Sequence, residues 1–134
     1  MIDDDVTRID VDALWAFLST EAYWSRWRSF EDVHRQVAHA WRVVGCYAPD
    51  GSMVGFARAM SDGVGTAYLA DVYVLDAHRG RGLATALVTE MIEAGAGRDF
   101  RWMLHTRDAH RLYRRLGFAE PDQSYLERRS PRGR

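Results

Sequence analysis

The 134-residue sequence has one cysteine, no lysine and no long apolar run. Because Cys46 has no second cysteine to pair with, an intramolecular disulfide is excluded, and the simplest expectation is a reducing, cytoplasmic environment. No window approaches the roughly 18 apolar residues that a transmembrane helix needs. The acidic N-terminus also lacks the apolar core of a secretory signal. We therefore expect no membrane partner.

All 18 basic residues are arginine, and 19 acidic residues give a formal net charge of -1. Such a balance provides no overall attraction to nucleic acid, so nucleic-acid binding is not expected. Apolar residues make up 47% of the chain and charged residues 28%, which is typical of a globular protein. The length fits one domain over residues 1–134, with a single substantial core.

The hydrophobic pattern predicts helices and strands along the whole chain. Helices are expected over residues 11–20, about 29–40, about 82–95 and about 108–117. Strands are expected over residues 7–10, 41–48, 53–60, 66–75, 100–105 and 125–128. Hairpin strands followed by a strand–helix–strand–helix order predict a mixed α/β fold, in which helices flank a central sheet.

A glycine- and arginine-rich turn, Arg79-Gly80-Arg81-Gly82-Leu83-Ala84, joins the central strand to the third helix. No Ser, Thr, Asp or Asn stands at the start of that helix to satisfy its first N–H groups. These donors, the helix dipole and two arginines predict an anion site, most simply for a phosphate. A tight solvated turn is the alternative. A dinucleotide-binding loop is disfavoured, because the third glycine is absent and the turn follows the fourth strand.

The turn resembles the acyl-CoA pyrophosphate loop, Gln/Arg-x-x-Gly-x-Gly/Ala, of the GNAT superfamily of N-acetyltransferases. About 25 residues downstream, the segment from Ala109 to Phe118 resembles the second signature of that family, a short tyrosine-bearing helix closed by Gly-Phe. The resemblance extends from about Thr7 to about Arg129. It implies the GNAT fold, with a mostly antiparallel sheet. It also implies an acetyl-CoA-dependent N-acetyltransferase that acetylates a primary amine of a small acceptor by direct attack.

The same resemblance implies the cofactor contacts. The pyrophosphate of acetyl-CoA would be held by Arg79, Gly80, Arg81, Gly82, Leu83 and Ala84. The pantetheine amides would pair with the backbone of Val72, Tyr73 and Val74 on the central strand. Where the family often has a cofactor-contacting asparagine, seven residues before the tyrosine, this chain has Thr106. No metal is expected.

Tyr113 is the candidate general acid, which by resemblance protonates the departing CoA thiolate. Its helical spacing with Ala109, Leu112 and Leu116 places it on the buried face, so a purely structural tyrosine is the alternative. Asp71 is the first candidate for the general base, followed by His105 or water. An unpaired carboxylate among apolar neighbours would have a raised pKa. In the structural alternative, Asp71 pairs with backbone N–H groups or with Arg58.

The acceptor pocket is expected, by resemblance, between the first two helices and the central strands. Its candidate residues are Tyr23, Trp24, Trp27, Arg28, Phe30, Phe56, Arg58, Tyr68 and His105. The aromatic side chains suit a small aromatic or cationic amine, although they are also typical core residues. A non-catalytic acyl-CoA sensor on the same fold is the second hypothesis. Homodimers are frequent in the family, but nothing in the sequence identifies an interface.

Overall fold

The computed structural model describes residues 1–23 and 27–132. The strands are β1 (Ile2–Asp3), β2 (Arg42–Tyr47), β3 (Met53–Ser61), β4 (Thr66–Val74) and β5 (Arg101–Met103). The α-helices are α1 (Val11–Thr20), α2 (Phe30–Ala38), α3 (Leu83–Glu93) and α4 (His110–Arg115). Short 3-10 turns occupy Val6–Arg8, Asp76–His78 and Ala96–Asp99.

One five-stranded sheet, in the order β1-β2-β3-β4-β5, forms the middle of the molecule. The first three pairings are antiparallel, and β4 pairs with β5 in parallel. A parallel pair needs a crossover connection, which α3 supplies between these two strands. The predicted mixed, mostly antiparallel sheet flanked by helices is confirmed.

Apolar side chains cover both faces of the sheet and form two separate cores. On one face, α1 and α2 pack against Phe56 and Tyr73. On the other face, α3 packs against Leu69 and Val74. Cys46 is buried in this second core, as the size of its side chain suits. The two layers fix α3 on one side of the central strands and α1 and α2 on the other.

The helix starts follow local sequence signals. The side chain of Asp10 accepts a hydrogen bond from the N–H of Ala13 at the start of α1. Ser29 and Asp32 form a reciprocal capping box at the start of α2. In contrast, Gly82 precedes α3 in a left-handed conformation, and none of the side chains that the structure describes caps that helix. The predicted uncapped N-terminus is therefore present.

Two predicted strands are wrong. Residues 7–10 were expected to form the first strand, but Asp5 caps a 3-10 turn at Val6–Arg8, and the edge strand is instead Ile2–Asp3. Residues 125–128 form no strand. Leu126 is 91% exposed, so this segment buries no apolar face that would hold it against the sheet. Within the described residues, no helix combines the length and apolar character needed to cross a bilayer.

Candidate active site

A cleft opens where β4 and β5 separate. Their parallel pairing ends at Tyr68 and Met103, whereas β4 continues to Val74. The space beside the unpaired part of β4 has a volume of about 920 Å³. It is also lined by residues of the α1–α2 connection, by the segment after β5 and by α4. Residues predicted to bind the cofactor and residues predicted to bind the acceptor therefore face one cavity.

A β-bulge in β4 shapes the floor of this cleft. Phe56 pairs with Tyr73 and Arg58 pairs with Ala70, so β4 has one residue more than β3 between the two pairs. Asp71, in the bulge, has a φ of 55° and is the sole non-glycine residue of the described chain with a positive φ. Aspartate tolerates this conformation better than most residues do. The bulge brings the Asp71 carboxylate to the face of the sheet that carries Arg58.

The glycine- and arginine-rich turn lies at one end of the cleft. Gly80 and Gly82 have φ values of 79° and 74°, a left-handed conformation that disfavours other residues. A Cβ at either position would have no atom of the described residues within 4 Å, so the glycines are required by the backbone and not by crowding. The Arg79 guanidinium donates to the Val74 carbonyl over 3.0 Å and contacts the Asp76 carboxylate over 3.1 Å. Arg81 is exposed.

Of the predicted cofactor residues, a subset lines the cleft: Val72, Tyr73, Val74, Arg79, Ala84, Thr106 and Tyr113. Gly80, Arg81, Gly82 and Leu83 lie next to this set in the turn and at the start of α3, outside the lining. The Thr106 hydroxyl accepts a hydrogen bond from the N–H of Ala109 over 3.0 Å, which satisfies a donor at the start of α4. In this set of predicted cofactor residues, the polar groups available to a ligand are mainly backbone groups.

Tyr113 extends from α4 into the cleft and is 8% exposed. Its ring packs edge-to-face against Phe118, with 5.6 Å between the ring centroids. Burial, with a smaller contribution from Asp108, raises the pKa of Tyr113 to about 12. The hydroxyl group is therefore protonated throughout the neutral range and is a weaker acid than an unperturbed tyrosine.

Asp71 is held between two arginines, with all three side chains buried. Arg28 donates from Nη1 and Nη2 to the two carboxylate oxygens, both over 2.8 Å, and its Nη1 also donates to Gln36 over 2.7 Å. Arg58 donates from Nε to Asp71 Oδ2 over 2.6 Å. Burial opposes ionisation, but the hydrogen bonds and charges of Arg28 and Arg58 outweigh it and lower the pKa of Asp71 to about 2.

The expectation of a raised pKa for Asp71 is therefore wrong, and the structural alternative, in which it pairs with Arg58, describes the residue correctly. A carboxylate that stays ionised down to about pH 2 is a weak proton acceptor at neutral pH. We assign Asp71 no part in proton transfer. It holds two arginines in place at the floor of the cleft.

A second polar chain connects Tyr68, His105 and Glu127. The Tyr68 hydroxyl lies 2.5 Å from His105 Nδ1, and His105 Nε2 lies 2.6 Å from Glu127 Oε2. If Nε2 carries the proton that Glu127 accepts, Nδ1 is left as an acceptor facing Tyr68. Glu127 was not predicted, because it lies 22 residues after His105 in a segment expected to be a strand. No sequence signal connects the two residues.

The predicted acceptor residues divide into three groups. Tyr23, Trp27, Arg28, Arg58, Tyr68 and His105 line the cleft. Phe30 lies outside it and packs against Trp15, and Phe56 is fully buried in the α1–α2 core, so neither contributes to the pocket. Trp24 lies outside the described residues. Tyr23 also accepts a hydrogen bond from the backbone N–H of Arg107 over 3.1 Å, which links the α1–α2 connection to the segment after β5.

Within the described residues, no group of three His, Cys, Asp or Glu side chains could hold a metal ion. What the site offers is an uncapped helix N-terminus, an unpaired strand edge, a buried phenol and a histidine oriented by a glutamate. Together these groups can bind an anionic ligand, donate a proton and accept one.

The model of the acetyltransferase (GNAT) family matches residues 11–118. A Xanthomonas campestris protein assigned to this family is 36% identical, with a TM-score of 0.90 over 98% of this chain and 93% of that one. A Deinococcus radiodurans acetyltransferase-like structure is 23% identical, with a TM-score of 0.71 over 96% and 87% of the two chains. A Mycobacterium tuberculosis structure that contains CoA is 18% identical, with a TM-score of 0.72 over 91% and 73%.

The last two similarities show the fold alone, and no curated protein matches the sequence. The family model, however, covers the elements that build the cleft, from α1 to the Gly-Phe sequence after α4. The Xanthomonas structure matches almost the full length of both chains. The chain belongs to the GNAT family of acetyltransferases.

Proposed function

We propose that this protein is an acetyl-CoA-dependent N-acetyltransferase that acetylates a primary amine of a small acceptor. The observation that carries the proposal is the separation of β4 from β5 beside the uncapped N-terminus of α3. It combines an open strand edge, which can pair with amides, and an anion site in one cleft. A GNAT acetyltransferase needs both to hold an acyl-CoA.

The cofactor half fits acetyl-CoA through its backbone. The N–H groups at the start of α3 and in the left-handed turn at Gly80 and Gly82 would hold the pyrophosphate, with Arg79 and Arg81 adding charge. The backbone of Val72, Tyr73 and Val74, beyond the last pairing with β5, would pair with the pantetheine amides, and the Val74 carbonyl at present accepts a hydrogen bond from Arg79. The side chain of Tyr73 is stacked on Phe17, with 3.9 Å between the ring centroids, so its contribution is likewise through the backbone.

The reaction we propose is a direct transfer. The amine nitrogen attacks the thioester carbonyl carbon, the new C–N bond forms, and the C–S bond breaks with its electron pair on sulfur. Tyr113, protonated at neutral pH, donates its proton to that sulfur. Holding the two reactants side by side supplies much of the acceleration. Cys46 is buried, with a raised pKa caused mainly by burial, so no covalent enzyme intermediate is invoked.

His105 is the base we propose in place of Asp71. The Tyr68 hydroxyl would take the proton that the amine loses and pass its own proton to His105 Nδ1, 2.5 Å away. Glu127 stabilises the resulting imidazolium from the other side of the ring, over 2.6 Å. Burial raises the pKa of Tyr68, so its hydroxyl keeps its proton and acts as a relay.

The first test is a calorimetric titration with acetyl-CoA, followed by measurement of CoA-thiol release against a panel of amines. Binding together with amine-dependent thiol release supports the transferase. Binding with no release from any amine would favour a non-catalytic acyl-CoA sensor. A protein that does not bind acetyl-CoA would contradict the proposed role of residues 79–84.

A further inference from the structure

The floor of the cleft holds three buried charged side chains. Arg28, Arg58 and Asp71 are each 6% exposed, and among these three, two guanidinium groups meet one carboxylate. Both oxygens of Asp71 are already engaged by Arg28, and Arg58 reaches one of them through Nε alone. A buried charge that is incompletely paired is unfavourable, so Arg58 is the side chain of this cluster that calls for a second anion.

Arg58 has the hydrogen-bonding capacity to receive that anion. Its side chain is 7% exposed and lines the cleft, yet neither Nη1 nor Nη2 donates a hydrogen bond to any residue that the structure describes. The two other carboxylates that line the cleft, Glu21 and Asp108, form no ion pair with it in the described part of the chain. The outer edge of the guanidinium group, with two parallel donors, is thus left facing the cavity.

We propose that Arg58 binds a carboxylate of the acceptor, so that the substrates of this enzyme are amines that carry a carboxylate, as amino acids do. This inference rests on the proposed transferase function and specifies its acceptor. The paired donors of a guanidinium edge match the two oxygens of a carboxylate. Asp71 accepts a hydrogen bond from Arg58 Nε and so fixes the orientation of the Arg58 guanidinium. The outer edge of that group is therefore oriented before a ligand binds.

The charge balance favours a carboxylate over a phosphate. One carboxylate would match the single charge of the Arg58 guanidinium, which Asp71 engages through Nε alone, whereas a phosphate monoester carries between one and two negative charges at neutral pH. The neighbouring surface is apolar and aromatic: Trp27 and Met60 are 43% and 42% exposed and line the same cleft. These side chains can contact the rest of an acceptor whose carboxylate is held by Arg58.

The position of Arg58 relative to Tyr68 and the proposed base His105 agrees with binding of the acceptor carboxylate. Arg58 pairs with Ala70 and Met60 pairs with Tyr68 across β3 and β4, and directly paired residues point to the same face of a sheet. Arg58 and the Tyr68 relay therefore share the face that α1 and α2 cover, whereas α3 and the anion-binding turn start from the end of β4. An acceptor anchored on Arg58 would have its amine near Tyr68.

The test compares each standard amino acid with its carboxamide, which keeps the amine and the side chain but removes the negative charge. Thiol release from acetyl-CoA gives kcat/KM, and calorimetry with the N-acetylated form of each pair gives binding without turnover. We expect the carboxylate member of the preferred pair to be favoured roughly tenfold or more in both measurements. Comparing O-phosphoethanolamine with β-alanine tests phosphate against carboxylate.

Arg58→Met should reduce the carboxylate preference to about one, while the Kd for acetyl-CoA changes by less than about twofold. This variant should fold, because it leaves Arg28 and Asp71 as a pair joined by two hydrogen bonds. Arg58→Lys keeps the charge without the paired donors and should retain part of the preference. Arg98→Met, at an exposed position outside the cleft, is the control for net charge.

Three outcomes would overturn the inference. The enzyme could use acids and carboxamides equally, it could keep its preference for the carboxylate in Arg58→Met, or it could prefer the phosphate to the carboxylate. Failure of the proposed function has different signatures: the absence of acetyl-CoA binding, or acetyl-CoA binding with no thiol release from any amine, including amines without a carboxylate. If the protein binds acetyl-CoA but neither binds nor acetylates any amino acid of these pairs, the assignment of Arg58 is wrong. The proposed acetyl-CoA site is not contradicted by that result.

Discussion

The two halves of the cleft use different kinds of groups. In the proposed cofactor half, the anion site would consist of contiguous residues, 79–84, through their backbone N–H groups and left-handed glycines. The proposed acceptor half consists of side chains from separate segments, with Asp71 lying 43 residues from Arg28 and 13 from Arg58. The anion site is exposed and formed by local conformation, whereas the floor of the acceptor half is buried and formed by tertiary packing. We therefore expect mutations in the acceptor half to reduce stability most, and mutations in the cofactor half to reduce binding.

Asp71→Asn should have the largest effect on stability. Asparagine tolerates the left-handed conformation, so the substitution removes the charge and leaves the backbone preference largely unchanged. Two buried arginines would lose their shared carboxylate, and breaking such a pair costs about 3–5 kcal/mol. Urea unfolding measures the difference. Asp99→Asn, an exposed carboxylate, is the matched control and should change stability by less than about 0.5 kcal/mol.

Tyr113→Phe tests the point where the two halves meet. If the phenol protonates the leaving sulfur, kcat should fall roughly 100-fold or more while the Kd for acetyl-CoA stays within about twofold. Since the pKa of Tyr113 is about 12, its deprotonation should not appear in the pH profile of kcat at neutral or mildly alkaline pH. Tyr47→Phe is the control, because Tyr47 is also buried, lies outside the cleft and makes no hydrogen bond through its hydroxyl within the described residues. Equal kcat values for the two variants would leave Tyr113 a structural residue.

Acid should weaken the acceptor half in a defined pH range. The pKa of Asp71 is lowered from its usual 3.8 to about 2 in the folded protein, so folding favours the ionised form. The stability that it contributes is present above about pH 4 and is lost as the pH falls toward 2. The lowered pKa corresponds to about 2 kcal/mol. The difference in unfolding free energy between wild type and Asp71→Asn should therefore shrink by that amount over this range, whereas a constant difference would mean that the carboxylate is not selectively stabilised.

How well each half could be predicted follows from how it is built. The anion site depends on neighbouring residues, and the sequence alone indicated both the turn and the uncapped start of α3. The site around Asp71 depends on a bulge and on which side chains meet across β3 and β4, so composition suggested a raised pKa where the structure lowers it. Glu127 illustrates the same limit. Its contact with His105 joins an exposed C-terminal segment to the end of β5, and neither segment has a periodicity that indicates the other.

Gly82→Ala and Gly51→Ala separate strain from binding in the cofactor half. Both glycines have positive φ values, 74° and 88°, and a Cβ at either would meet no atom within 4 Å. Each substitution should therefore cost a similar amount of stability, about 1 kcal/mol, because the left-handed conformation disfavours alanine. Only Gly82 lies at the start of α3, where a phosphate would approach the backbone, so only Gly82→Ala should raise the Kd for acetyl-CoA, by roughly tenfold. If calorimetry finds equal Kd values for the two variants, the phosphate does not approach the backbone at Gly82, and the arginine side chains of the turn must supply the contact instead.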